Sequence, residues 1–280
     1  MTTPHAPPDR SVVERTLGVL GAFDTAHASL TVSQISSRSH IPVATTYRIV
    51  SKLVSWGALE RAEDNKYTIG LRLWEVSQLA PRHAGLRAAA VPAMFDLRST
   101  TRRAVLLSTR DGTEGICLES VSGNARPLHR SWSRGHRFPL HATACGRVLL
   151  AAADTTVQDE LYGGDLRTYT ERTVHAPAVL RDLVAHTRRQ GYAVSDGELL
   201  NGVVEIAAPI HGGDGAVLGA LGLITVGTAS TAVPDAVGPL LAAARRVSRS
   251  LSDLPAAPGD AVPSPRTARS RTHRPQGACA

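Results

Sequence analysis

Residues 43–52, "VATTYRIVSK", set two cations, Arg48 and Lys52, four positions apart among hydroxyls and methyls, with no acid. On a helix, positions four apart share one face. A face of that make-up offers positive charge and hydrogen-bond donors to a polyanion without repelling it. The interval is longer than the helix: from residue 25 to residue 59 the only formal charges are Arg38, Arg48 and Lys52. Phosphates dominate the affinity of proteins for nucleic acid and repel carboxylates, so a DNA-facing surface belongs in such an interval. A basic helix face is also an ordinary solvated surface. The surrounding elements decide between the two.

Three other sets of residues bear chemistry. His129, His136 and His141 lie in a loop-rich, positively charged segment, without the tight Cys/His pairs of closed zinc sites, so no metal is expected. Cys145 stands near a helix start beside Arg147, where a lowered thiol pKa would suit a nucleophile or redox sensor. The competing reading is a small packing residue, because no base is placed near it in sequence. "HGGDG" (211–215) has the glycines of a phosphate loop but lies between two strands, and reads as a hairpin turn. Neither a catalytic centre nor a cofactor is expected.

The elements that must carry residues 43–52 follow from periodicity. "SVVERTLGVLGAFDT" repeats Val13, Leu17, Leu20 and Phe23 at helical intervals, with Ser11 as cap. "LTVSQISSRSH" gives a shorter helix turning Val32, Ile35 and Ser36 inward, capped by Thr31 or Ser33. After the bend "SHIP" a third helix buries Ile49, Val50, Leu53 and Val54, and Gly57 stops it. Leu59 and Tyr67–Ile69 flank the turn "EDN" as a small hairpin. Three helices and a hairpin in this order make a winged helix-turn-helix over 11–70, whose third helix points its leading residues at base edges in the major groove. Val43, Ala44 and Thr45, with Thr46 beside them, meet base edges; Tyr47 and Arg48 reach base or phosphate; Lys52 takes a phosphate. Arg61 and Lys66 flank the wing turn and meet backbone or minor groove. Thr31 and Ser33 offer phosphate donors at a helix start.

"LRLWEVSQLA" forms a connector helix (71–83) with Leu71, Trp74 and Leu79 on its apolar side. The remainder, 84–253, mixes helices at 85–101, from Thr143, at 176–191 and at 234–253 with strands around Asp111-Gly112 and "HGGDG". That is an α/β domain with a mostly antiparallel sheet, which makes the whole chain α+β. Residues 1–10 are Pro-rich and expected to be flexible, and 254–280, rich in Arg and Pro, to be disordered. Across 280 residues, 42% apolar and 20% charged, there is material for two cores, and a net charge of +7 favours an anionic partner. Three cysteines suit a reducing cytoplasm. No segment reads as a signal peptide or a membrane span.

"SVVERTLGVLGAF...LTVSQISSRSHIPVATTYRIVSKLVSWGALER...YTIGLRLWEV" resembles the N-terminal domain of the IclR family of bacterial transcription regulators. "FPLHATACGRVLLA" and "GYAVSDGELLNGVVEIAAPI" resemble that family's effector-domain segments, so the likeness spans roughly 11–252. His40 replaces the usual turn Gly, Ala44 a common Ser, and Thr46 a common apolar residue. The resemblance implies a ligand-responsive regulator that reads a palindromic double-stranded operator as a homodimer or homotetramer. It also implies a GAF-like effector domain for a small organic acid or aromatic metabolite. Carried over by position, the pocket comprises Ala144, Cys145, Gly146, Ser195, Val203 and Glu205. Glu205 stands where a Cys or other small residue is common. Two roles remain open for it: a structural pair with Arg147 or Arg137, or selection of a ligand bearing an amine, hydroxyl or neutral polar group.

Overall fold

A computed structural model of the chain describes residues 11–24, 27–78, 81–122 and 132–253. The expectations for 1–10, 124–131 and 254–280, and for Leu79, His129 and Cys279, lie outside the described residues. The chain divides after Ala80 into two compact units.

In the first unit, Ser11 and Glu14 close a reciprocal capping box at the start of α1 (Val12–Leu20). Thr31 and Gln34 do the same for α2 (Val32–Ser39), and α3 runs over Val43–Trp56 to Gly57 in the left-handed region. Strands β2 (Leu59–Arg61) and β3 (Lys66–Ile69) form the wing, and β1 (Leu30–Thr31) adds a third strand on the far side of β3. Two residues long, β1 carries no alternation by which the sequence could reveal it. The core is Val19, Leu30, Ile35, Ile41, Val50, Leu59 and Tyr67. The expected stripe on α1 holds in part: Leu20 and Phe23 pack against this core, whereas Val13 and Leu17 are 66% and 52% exposed and Val19 and Ala22 are buried instead. Helix α4 (Leu71–Gln78) leaves Leu71, Trp74 and Val76 exposed as well.

The second unit stacks helices on both faces of one sheet. Its elements are α5 (Pro81–Thr101), β4 (Ala104–Asp111), β5 (Glu114–Val121), β6 (Arg137–Pro139), α6 (Ala144–Ala151), α7 (Thr155–Gly163), α8 (Pro177–Gln190), β7 (Ala193–Asp196), β8 (Val203–His211), β9 (Val217–Val226) and α9 (Ala229–Ser252). The six strands run in the order β6-β5-β4-β9-β8-β7 with every pairing antiparallel. Side chains alternate along each strand. On β8, Val204, Ile206, Ala208 and Ile210 join the core under α5 and α9, while Val203 and Ala207 face the core under α6 and α8. Glu205 lies between these last two and shares their face.

Helix α7, capped by Asp154, and strand β6 were not anticipated. Helix α9 begins at Ala229, so Pro234 sits inside it instead of opening it. No helix among the described residues is long and apolar enough to cross a membrane.

Candidate nucleic-acid interface and effector pocket

The bend between α2 and α3 is built from polar side chains that satisfy backbone. His40 adopts φ 54 and ψ 41, the left-handed conformation for which Gly is the usual choice. The Ser36 hydroxyl donates to the Ile41 carbonyl at 2.6 Å, and Ser39 donates to Ile35 at 2.7 Å, so the turn is closed from inside. Helix α3 then presents Val43, Ala44, Tyr47, Arg48 and Lys52 to solvent, with Thr45 half-buried. Ser33 is exposed at the start of α2.

Two members of the expected DNA-contacting set need correction. Thr46 is fully buried, and its hydroxyl lies 3.2 Å from the Ile41 and Pro42 carbonyls to which it donates, so it is a core residue. A Thr serves here because its shape matches Val and its hydroxyl is satisfied within the helix. The donors of Thr31 are engaged in capping: its hydroxyl and its backbone N–H both donate to Gln34 Oε1, at 3.2 and 2.9 Å, and are thereby withdrawn from phosphate. Arg38 is also tethered, donating to Asp24 at 2.7 Å and to the Ala22 carbonyl at 2.6 Å. On the wing, Arg61 donates to Asn65 across the turn, and Lys66 is exposed.

In the second unit, Ala144, Cys145, Gly146, Ser195 and Glu205 are buried, and Val203 is half-buried. Thr143 caps α6, its hydroxyl accepting from the Gly146 N–H at 3.1 Å. The Cys145 N–H donates to Glu205 Oε1 at 2.9 Å. Burial pushes the Glu205 carboxyl up, outweighing the hydrogen bond and the weaker pull of Ala144, the Cys145 thiol and Arg147. Of the two roles open for Glu205, the pair with Arg147 or Arg137 is not formed. Arg147 pairs with Glu198 at 2.5 Å, and Arg137 with Asp111 at 2.6 Å and Glu114 at 3.2 Å. Ser195, across the β7–β8 ladder from Glu205, donates to the Ala142 carbonyl at 3.2 Å.

A Cβ at Gly146 would lie 2.5 Å from the Leu140 backbone, so this glycine lets α6 approach the preceding loop. Gly222, overlooked in sequence, is the informative one: a Cβ would meet the Cys145 sulfur at 2.6 Å. Its signal was available, since Gly inside a strand marks close approach. Burial raises the Cys145 thiol well above its usual range, with Glu205 adding to the effect, which is the reverse of an activated nucleophile. His141 turns its ring to the Arg167 carbonyl at 2.9 Å, and no metal-binding cluster forms among the described residues. A cleft of about 550 Å³ is lined by Glu114, Arg137, His141, Arg167, Tyr169 and Leu199. It contains none of the six residues assigned to the pocket by resemblance.

Residues 12–63 match the IclR helix-turn-helix domain, and residues 78–252 match the C-terminal domain of the bacterial transcriptional regulator IclR. The chain is 30% identical over 217 residues to the HTH-type transcriptional regulator XynR of Escherichia coli, covering 76% of this chain and 85% of that one. It is 31% identical over 212 residues to the Pca regulon regulatory protein of Pseudomonas putida, covering 75% and 72%. A crystal structure of an IclR homolog from Microbacterium hydrocarbonoxydans, complexed with 4-hydroxybenzoate, superposes with a TM-score of 0.80 at 31% identity, covering 86% of this chain and 99% of that one. With a helix-turn-helix carrying an exposed, acid-free α3 and an α+β second unit that both match along their length, the chain belongs to the IclR family of DNA-binding bacterial transcriptional regulators.

Proposed function

We propose that α3 enters the major groove of a roughly palindromic operator, with Val43, Ala44, Thr45, Tyr47 and Arg48 at base edges and Lys52 on phosphate. Ser33, Arg61 and Lys66 add backbone contacts. The observation that carries this reading is the exposure of Arg48 and Lys52 on a helix face without an acid, next to a bend closed from within. The protein works in the cytoplasm, on the chromosome.

A palindrome requires two copies. The exposed apolar faces of α1 (Val12, Val13, Leu17) and α4 (Leu71, Trp74, Val76) supply surface for a homodimer next to the DNA-reading helix. The second unit takes a small organic effector, as supported by the relative that holds 4-hydroxybenzoate, and its site is read at the α6 face of the sheet, where Glu205 meets the Cys145 N–H. Binding shifts DNA affinity as far as the effector distinguishes the DNA-bound and free arrangements.

Selection of duplexes from a random pool by the full chain tests the reading. A two-half-site consensus is expected, protected on both halves. Failure to enrich any sequence overturns it. Sedimentation should show at least a dimer, and Trp74→Glu should shift it toward monomer.

A further inference from the structure

The first turn of α6 has the free N–H groups and positive dipole end that ordinarily attract an anion. In this chain those donors are already engaged. Thr143 takes the Gly146 N–H, and Glu205, reaching across from β8, takes the Cys145 N–H at 2.9 Å with Ala144 beside it. Gly222 makes this possible, because its missing Cβ leaves room for the Cys145 sulfur that a side chain would strike at 2.6 Å. Glu205 is 2% exposed, and its second oxygen, Oε2, is buried with no hydrogen-bond partner among the described residues.

We propose that the Glu205 carboxyl group is a built-in occupant of the carboxylate position at α6, so that the effector meets its free oxygen with an N–H or O–H donor and brings no carboxylate there. This deepens the proposed function, since it rests on the α6 face being the effector site. Two physical terms act in the same direction. A carboxylate ligand at α6 would face a second carboxylate, and like charges in one dry site force one of them to take a proton. A buried acceptor without a partner is costly, and a donor from the ligand relieves that cost on binding. The effector class is thus a neutral or cationic small molecule bearing an amide, amine or hydroxyl.

Acetate is the fragment of Glu205 beyond Cβ, which gives a direct test on the full chain. Glu205→Ala should melt about 3 °C or more below the parent. Sodium acetate, against sodium chloride at equal concentration, should restore at least half of that loss and leave the parent unmoved. Equal response of both proteins to acetate, or none in either, overturns the proposal. Glu205→Gln keeps an oxygen for the Cys145 N–H without the charge and guards against misfolding of the first variant. It should gain about tenfold in affinity for benzoate over the parent, and no gain counts against the idea. For the parent alone, benzamide should raise the melting temperature more than benzoate, and benzoate matching it overturns the donor assignment. Operator binding measured on the same samples separates the two levels: intact operator binding with failed rescue removes only the role of Glu205, whereas rescue without operator binding removes the regulatory reading.

Discussion

Arg147 Nη2 and Glu198 Oε1 lie 2.5 Å apart, both side chains buried, with Arg147 Nε and Glu198 Oε2 left without hydrogen-bond partners among the described residues. Burial raises the Glu198 carboxyl despite the guanidinium beside it. The pair is therefore only partly compensated. Removing one member strands a charge, whereas removing both is tolerated. Arg147→Met is expected to cost about 3–5 kcal/mol in urea unfolding, and Arg147→Met with Glu198→Leu to recover most of it. A double variant as unstable as the single one would show that the pair is a net stabiliser.

Arg48→Ala should weaken operator binding by about 1–3 kcal/mol with relaxed preference at one base position. Lys52→Ala should weaken all duplexes alike and reduce the salt slope by about 1. Fluorescence anisotropy over a salt series measures both. Unchanged binding in both variants would remove α3 from the groove.

Thr46 supplies the contrast. Thr46→Val keeps the shape and loses two 3.2 Å hydrogen bonds to carbonyls, of which that of Pro42 also accepts the Thr46 N–H. Stability should fall by about 0.5–1.5 kcal/mol, with operator affinity unaltered. A clear loss of affinity without loss of stability would return Thr46 to the interface.

His40 holds a positive φ that costs a side-chain-bearing residue energy. His40→Gly should stabilise the first unit by about 0.5–1 kcal/mol, and His40→Val should destabilise it. Thermal melting distinguishes the two. A Gly variant less stable than the parent would mean that the imidazole itself contributes.

Acid should lower the stability of the second unit in two stages. Burial lowers the His141 pKa below 6.5, outweighing its bond to Arg167. The unfolded chain therefore takes that proton first, and stability falls as pH drops from about 6.5 through the folded value. Burial tends to raise the Glu119 carboxyl, but Arg134 and Arg87 outweigh it and hold it below 4.5. Its contribution is present above that pH and is lost as pH falls below it. Urea midpoints between pH 7 and 3 should show both stages, and Glu119→Gln should abolish the second.

Much of the first unit was legible because its signals are local. The Ser11 cap, the stripe through Val50 and the stop at Gly57 are each set by neighbours within a few residues. Facing was harder. Val13 and Leu17 have the period of a core stripe, yet periodicity does not say whether the partner is the same chain. Thr46 read as a DNA contact because a hydroxyl among basic residues looks polar; that it replaces a common apolar residue was the signal, and its full burial shows it to be a core side chain. In the second unit the hairpins were readable, whereas α7 and β6 were too short or too polar to stand out. The Glu205–Cys145 bond joins positions sixty residues apart, and no local pattern reports such a meeting.

Strand β8 separates two cores by the thickness of a single backbone, and its residues point by turns to one and the other. Glu205 leans on the cap of α6, while Val204 and Ile206 on either side of it press into the layer beneath α9. A displacement of Glu205 is therefore expected to disturb the packing of Val204 and Ile206 behind it, since three consecutive residues join the two compartments.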